Sequence, residues 1–471
     1  MHAILRPVAL MCVGMLAACA VGTDYERPPV ELPPDWRMDG GAAGELANAR
    51  WWTQFDDPVL DELIAMAVAE NLDIRIAAAR VAEFAGALEA TRSRLMPQVG
   101  YGVSAGRSRT SEALLPAGAD PYATQYQAAV GASWQLDLFG RLRRESEAAQ
   151  ARVYASEQGR RGVILSVVTS VAATYITLRA FDRQLEIAQE SAENFAQTLE
   201  VFELRHAQGV VSRLEVAQVE SQYQQALAAI PLIEGRIAAQ ENLLSILLGR
   251  HPGPIVRGRA LADLPLPPVP AGLPAALLEQ RPDVMQAEQG LVAANADLGA
   301  AQALYFPDFT ITGTIGQLSA AAGDLLESAA RIWAVNAALA GPIFTGGAIS
   351  GQVASAEAAK EGALLAYQAA VLNALREVND ALAETRASTD NHAALLRRTA
   401  ALQDYARLAR MRFDAGATSF LEVLFADNEL FAAELAAVTA SQARFISLIQ
   451  VYKAMGGGWI DAAAPGVAPG D

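Results

Sequence analysis

The stretches "RHAQGVVSRLEV", from Arg205 to Val216, and "RFDAGATSFLEV", from Arg412 to Val423, decide how the rest of the chain is read. Both fit R-x-x-x-G-x-x-S-x-L-E-V, so Gly209 answers Gly416 and Ser212 answers Ser419. In each, a long run without proline ends at the glycine, which can take the positive φ that closes a helix. The serine three residues on stands where the N-cap of a second helix belongs, its hydroxyl free to satisfy the amides of the first turn. Each stretch therefore reads as the tip of a helical hairpin.

The arms of these hairpins are long. From Arg141 to Gln208 there is no proline, and Gly159 and Gly162 are the only glycines. At 1.5 Å per residue such a helix extends about 100 Å. From Val171 the apolar residues follow heptads: Val171/Thr174, Leu178/Phe181, Leu185/Ala188, Ala192/Phe195 and Leu199/Phe202, a coiled-coil pattern. The return helix runs from Ser212 to about Leu248, with a kink expected at Pro231. The second hairpin runs from Gly351 to Ala415 with looser heptads and returns to about Met455.

Ahead of each hairpin lies a pair of strands. Val99, Tyr101, Val103 and Ala105 alternate with Gln98, Gly100, Gly102 and Ser104; from Tyr126 to Leu138 apolar residues again alternate with Gln, Gly and Ser. Phe309, Ile311, Gly313 and Ile315 alternate with Thr310, Thr312 and Thr314, and Trp333, Val335, Ala337 and Leu339 follow the same rule. Period two means strand with one apolar face. A half-buried soluble sheet has this pattern too; the length and aromatic content favour a membrane barrel, whose strands run about 9–11 residues.

The unit is used twice. "MPQVGYGVSAG" from Met96 matches "FPDFTITGTIG" from Phe306, and "LFGRLRRESEAAQA" from Leu138 matches "IFTGGAISGQVASAEA" from Ile343. With the tips, three blocks recur in one order at a spacing of 205–210 residues, an internal tandem repeat far too long for a solenoid. The expected organisation is a signal at 1–18, an extended leader at 19–56, a first repeat at 57–251, a proline-rich connector at 252–273, a second repeat at 274–456 and a tail at 457–471. Strands are placed near 97–107, 122–138, 308–318 and 331–344, and hairpins at 141–248 and 348–455.

The first residues point to export. Arg6 precedes an apolar stretch from Val8 to Leu16, and Leu16-Ala17-Ala18-Cys19 follows. About 10–12 apolar residues are too few for a spanning helix. An ordinary signal cleaved near Ala18 fits the same residues. With Cys12 inside the signal, the remaining chain keeps only Cys19, which leaves no disulfide. His2, His206, His251 and His392 are scattered with no H-x-x-x-H pair, so no metal site and no cofactor is indicated. No nucleophile–base pair or phosphate loop appears, and Gly456-Gly457-Gly458 lacks the Lys and Ser/Thr of a phosphate cradle. An enzyme is not indicated. The net charge of −16 argues against nucleic acid, although mild acidity is also common among soluble proteins. Beyond the signal no apolar run reaches 18 residues, so any membrane crossing is expected to use a closed barrel.

Four strands cannot close, because the smallest membrane barrels need about eight, and an open edge in lipid leaves backbone groups unsatisfied. The chain therefore needs copies of itself. Small polar residues on one strand face suit a wet lumen wider than eight strands allow, which favours three chains and twelve strands.

In this arrangement the sequence resembles the outer-membrane factors of tripartite efflux systems, the TolC-like channels, and within them the OprM-like lipoprotein branch. The resemblance covers essentially everything after Cys19. It rests on "VGTDYERPPVELPPDW" from Val21, "WWTQFDDPVLDELIAMAVAENLDI" from Trp51, "RLMPQV" from Arg94, "WQLDLFGRLRR" from Trp134, "LLEQRPDVMQAEQGLVAANADLGAAQALYFPDF" from Leu277 and "YKAMGGGW" from Tyr452. It implies an α+β membrane protein: a trimeric twelve-stranded outer-membrane β-barrel, four strands per chain, continued by a long periplasmic α-helical barrel. It implies Cys19 as the lipidated residue, with Ala20 after it in place of the aspartate associated with inner-membrane retention. The implied partners are two further copies, a periplasmic adaptor, an RND-type inner-membrane transporter and outer-membrane lipid. The implied function is passive exit of drugs and toxic compounds.

The same resemblance assigns adaptor contact to the tips, Gly209, Val210, Val211 and Ser212 and Gly416, Ala417, Thr418 and Ser419. It assigns a periplasmic gate to Leu421, Glu422, Phe425 and Asn428. Where the family often has the aspartate of L-D-A-Q, this chain has Leu424-Phe425-Ala426-Asp427. Two plainer readings stay open: the glycines are helix stops only, and Phe425 is helix-packing core. An envelope-spanning structural lipoprotein and a type I protein-secretion duct are the competing functions.

Overall fold

The computed structural model describes residues 20–29, 50–269 and 281–457. Cys19, the signal and the tail beyond residue 457 lie outside them. The chain divides into two compact units. The first holds 20–29, 80–157 and 286–368, and the second holds 50–79, 158–269, 281–285 and 369–457.

The described elements run α1 (Pro58–Glu70), α2 (Leu72–Ser93), β1 (Gln98–Arg109), β2 (Tyr122–Leu136), α3 (Arg141–Ala207) and α4 (Arg213–Leu247). The second half follows as α5 (Pro282–Ala303), β3 (Asp308–Ser319), β4 (Arg331–Ala340), α6 (Ala348–Asp414) and α7 (Phe420–Ala454). The duplication is legible in lengths: α2 and α5 have 22 residues each, α3 and α6 have 67, and α4 and α7 have 35. α4 continues through Pro231. β4 stops at Ala340, short of the expected 344, because Gly341 and Pro342 follow and proline cannot donate to a ladder.

In the first unit the four strands form one antiparallel sheet in the order β1-β2-β3-β4. Its register puts whole rows of side chains on one face. Tyr101 lies opposite Val130, Val130 opposite Ile315 and Ile315 opposite Trp333, so one apolar row crosses all four strands. On the other face Gln98, Ser133, Thr312 and Asn336 form a polar row in the same way. The apolar row is exposed: Tyr101 is 88% and Trp333 76% accessible. Gly316 is required by the sheet itself, since a Cβ there would lie 2.4 Å from the Ala128 carbonyl oxygen.

The same unit fastens the leader. The amide of Val21 donates to the Phe139 carbonyl (3.0 Å). The buried guanidinium of Arg144 donates to the carbonyls of Val21 and Gly22 (both 3.2 Å) and to Asp24 (2.8 Å). Asn295 donates to the Thr23 carbonyl (3.0 Å), and Arg27 pairs with Glu288 (2.9 Å). Gly22 has φ +93° and passes so close to Gly299 that a Cβ would meet its Cα at 2.8 Å.

In the second unit the core gathers Trp51, Phe55, Leu60, Ile64, Tyr175, Ile176, Leu248, Phe445 and Tyr452, with Trp51 stacked on Tyr452 at 5.2 Å. The expected extended leader at 19–56 does not hold at its end. Residues 51–55 form a 3₁₀ turn with both tryptophans and Phe55 buried, because "WWTQF" carries too much aromatic area to stay in solvent. A second correction concerns α3, which contains a stretch long and apolar enough to cross a membrane. Its apolar residues serve this core: Ile164, Val168, Val171, Ala172, Tyr175, Ile176 and Leu178 are all essentially inaccessible.

Asp57 organises the entry to this unit. Its buried carboxylate caps α1 by accepting from the amides of Val59 (3.0 Å) and Leu60 (3.5 Å). It also accepts from the Tyr175 hydroxyl (2.8 Å) and the Arg259 amide (3.0 Å), which ties the connector to α1 and α3. Burial and this carboxylate together hold the Tyr175 phenol well above its ordinary range.

Candidate functional site

Both hairpin tips lie in the second unit. After α3 the Gly209 amide donates to the His206 carbonyl (2.8 Å) and Val210 to Arg205 (2.9 Å). After α6 the Gly416 amide donates to Phe413 (2.9 Å) and Ala417 to Arg412 (2.8 Å). The glycines take φ of +75° and +72°, the left-handed helix stop their positions ask for. Ser212 and Ser419 sit at the N-caps of α4 and α7 with almost identical backbones, φ/ψ −79°/158° and −76°/157°.

The apolar surface behind the tips is shared. Val216, Val219 and Ala226 of α4 pack with Phe420, Val423, Leu424 and Ala426 of α7, together with Phe202 of α3. Phe202 lies 4.1 Å from Phe420, and Phe413 lies 5.1 Å from Phe420. This aromatic cluster escapes a motif reading because its members come from three helices; the phenylalanines at heptad and helix-end positions are its only trace in the sequence.

The four residues that the sequence resemblance assigns to a gate are placed as follows. Leu421 and Phe425, one turn apart on α7, are 57% and 58% exposed. Phe425 is therefore no part of this chain's own core. Asn428 accepts from Gln225 of α4 (3.4 Å). Glu422 turns back toward the tip, where its carboxylate accepts from the Thr418 hydroxyl and lies 3.9 Å from Arg412. Among the tip residues Val210 is 69% exposed, whereas Val211 is partly buried against the apolar cluster.

Asp427 faces away from Phe425, into a charged cleft bounded by α3, α6 and α7. There it pairs with Arg410 (2.9 Å), near Arg205, Arg407, Glu190 and Glu434. Burial raises the Asp427 carboxyl above the usual range although Arg410 opposes the shift, and burial likewise raises Glu434 against its Gln403 bond. Along the hairpin, Arg398 of α6 pairs with Glu429 of α7 (2.9 Å). No cluster of His, Cys, Asp and Glu suited to a metal ion occurs among the described residues.

This architecture has close parallels among known proteins. The family described as "Outer membrane efflux protein" matches the chain in two stretches, residues 63–250 and 273–457, one in each repeat. The toluene efflux pump outer membrane protein TtgF of Pseudomonas putida is 32% identical over 456 residues, covering 94% of this chain and 95% of TtgF. The cation efflux system protein CusC of Escherichia coli is 32% identical over 458 residues, covering 95% of this chain and 98% of CusC. Among solved structures, the open state of the MtrE outer membrane channel of Neisseria gonorrhoeae shares the fold with a TM-score of 0.85 and 29% identity. That match covers 93% of this chain and 98% of MtrE. The chain is a TolC/OprM-like channel protein of the outer membrane, and it belongs to the outer membrane efflux protein family.

Proposed function

We propose that this chain forms, with two further copies, the passive exit duct of a tripartite efflux pump, receiving its cargo through a periplasmic adaptor from an RND-type inner-membrane transporter. The observation that carries the reading is the sheet. Its four strands present an exposed apolar row and a polar row, and β1 and β4 are edge strands whose outer sides have no strand partner among the described residues. In lipid those groups need partners, and three copies joined edge to edge supply a twelve-stranded closed wall. The duct performs no chemistry, and Cys19 carries its lipid anchor. The tips at Gly209–Ser212 and Gly416–Ser419 meet the adaptor.

The resting aperture is formed by the exposed pair Leu421 and Phe425 of each chain, with Asn428 one turn further along α7. The first repeat has Gln218 where the second has Phe425, so the apolar plug belongs to the second hairpin. Planar-bilayer recording of the purified full-length protein tests both points. The duct reading requires channels; none at any pH or voltage would sink it. Phe425→Ala should raise resting conductance, and in cells sensitivity to large antibiotics. Unchanged values in both would remove Phe425 from the gate.

A further inference from the structure

The two tips offer an internal comparison that the duplicated sequence makes unusually clean. Ser212 and Ser419 occupy the same backbone geometry, and each is followed three residues later by a glutamate, Glu215 and Glu422. That spacing is the capping box, in which the serine hydroxyl binds the glutamate amide and the glutamate carboxylate binds the serine amide. The first tip forms it in full. Ser212 Oγ accepts from the Glu215 amide (3.3 Å), and Glu215 Oε2 accepts from the Ser212 amide (2.7 Å) and hydroxyl (3.0 Å). The second tip does not form it. Ser419 makes no side-chain cap, and the Glu422 amide turns instead to the Ser419 carbonyl (3.3 Å).

A difference at the preceding position accompanies this. The position before the serine is Val211 in the first copy and Thr418 in the second. Valine has no hydrogen-bonding group and packs on the apolar cluster. Threonine offers a hydroxyl, and it is this hydroxyl that holds the Glu422 carboxylate, with Arg412 close by on the other oxygen. The first tip is braced further by His206, whose Nδ1 lies 3.0 Å from the Val211 carbonyl oxygen; the second copy has Phe413 at that place.

We propose that Thr418 competes with Ser419 for Glu422, so that the second tip has two alternative arrangements where the first has one. In the arrangement seen here the carboxylate is held by Thr418 and the first turn of α7 lacks its cap. In the other, Glu422 swings back onto Ser419 and closes the capping box, tightening the turn that carries Leu421 and begins the helix of Phe425. The device sits on the hairpin proposed to carry the gate, and its link to opening rests on that reading. The exchange of partners stands apart from it.

Hydrogen–deuterium exchange on the full-length protein in detergent, corrected for intrinsic rates, tests the exchange of partners. A cap is worth about fivefold in local protection. Ser212→Ala should therefore accelerate exchange at residues 214–217 about fivefold, whereas Ser419→Ala should leave residues 421–424 unchanged. Thr418→Val, which copies the first tip, should slow residues 421–424 about fivefold. Adding Ser419→Ala to Thr418→Val should abolish that gain. An acceleration by Ser419→Ala alone equal to that of Ser212→Ala, or no slowing by Thr418→Val, overturns the proposal.

The link to opening is read from single channels. Thr418→Val should lower the opening frequency along with exchange. Slowed exchange with unchanged opening refutes the coupling to the gate, while a wild-type protein that forms no channels refutes the duct reading instead.

Discussion

Replacing Gly258 with alanine should be among the most damaging small substitutions in the second unit. A Cβ on Gly258 would lie 2.1 Å from Asp57 Oδ1 and 2.5 Å from Oδ2, so the carboxylate must leave its place. That carboxylate is fully buried and holds four donors from three parts of the chain. Hydrogen bonds to a charged group are worth about 1.5–3 kcal/mol each. If the helix cap survives and only the Tyr175 and Arg259 bonds break, the loss is about 3–6 kcal/mol. For a large domain each kcal/mol lowers Tm by about 2–4 °C, so the drop should be at least about 6 °C. The assay is helical circular dichroism in detergent at one fixed heating rate, since unfolding of such a protein is read as an apparent midpoint. Gly235→Ala is the control. It is an exposed helical glycine with nothing within 4 Å of a built Cβ, and alanine there should be neutral or stabilise by up to about 1 kcal/mol. A Gly258→Ala midpoint within about 2 °C of wild type would show that the Asp57 node does not hold the connector.

The remaining predictions concern the leader and the charged cleft. Arg144→Ala removes the donors that hold the Val21 and Gly22 carbonyls and Asp24, so chymotrypsin should cut after Tyr25 about tenfold faster; an unchanged rate refutes the clamp. Asp427 and Glu434 are raised by burial, so both bind a proton more tightly in the folded state than in the unfolded one. Their contribution to stability is fully present below the ordinary carboxylate range and is lost as pH rises through their raised values. Denaturation midpoints followed through that window should therefore fall less steeply for Asp427→Asn than for wild type. Parallel curves would show that burial does not shift Asp427.

Much of the scaffold was legible because period and punctuation survive in a single sequence. The strands announced themselves by alternation, and the hairpin tips by glycine and serine three residues apart. That residues 20–29 are a bound strap was not legible, because what binds them is scattered: Arg144, Asn295 and Glu288 carry no local pattern. The Asp57 node was hidden for the same reason, joining residues 118 and 202 positions apart. At the tips, composition alone gave both serines the same role. In the folded chain Glu422 is drawn away from Ser419, because the competing hydroxyl belongs to a residue outside the capping-box spacing.

The charged contacts are also distributed unevenly, and that bears on how a gate in this fold can work. Within the second hairpin, α6 and α7 are joined by Arg398–Glu429 and Arg410–Asp427. From the first hairpin, α7 receives neutral contacts: Gln225 to Asn428, Gln184 to Thr439, and Gln442 to Thr177. Neutral hydrogen bonds contribute about 0.5–1.5 kcal/mol each and are readily exchanged for water, while the Phe202–Phe413–Phe420 cluster supplies the apolar adhesion. A movement that keeps α6 and α7 together therefore breaks no ion pair between them. It exposes the neutral contacts, which water can replace, and it must also part the apolar surfaces of α3, α4 and α7 that pack behind the tips. The duplication provides two hairpins of equal length; in the second, two ion pairs join α6 to α7, while its contacts to the first combine neutral hydrogen bonds, the aromatic cluster and the attraction of Glu434 to Arg183. Phe425 lies on the exposed side of this second hairpin.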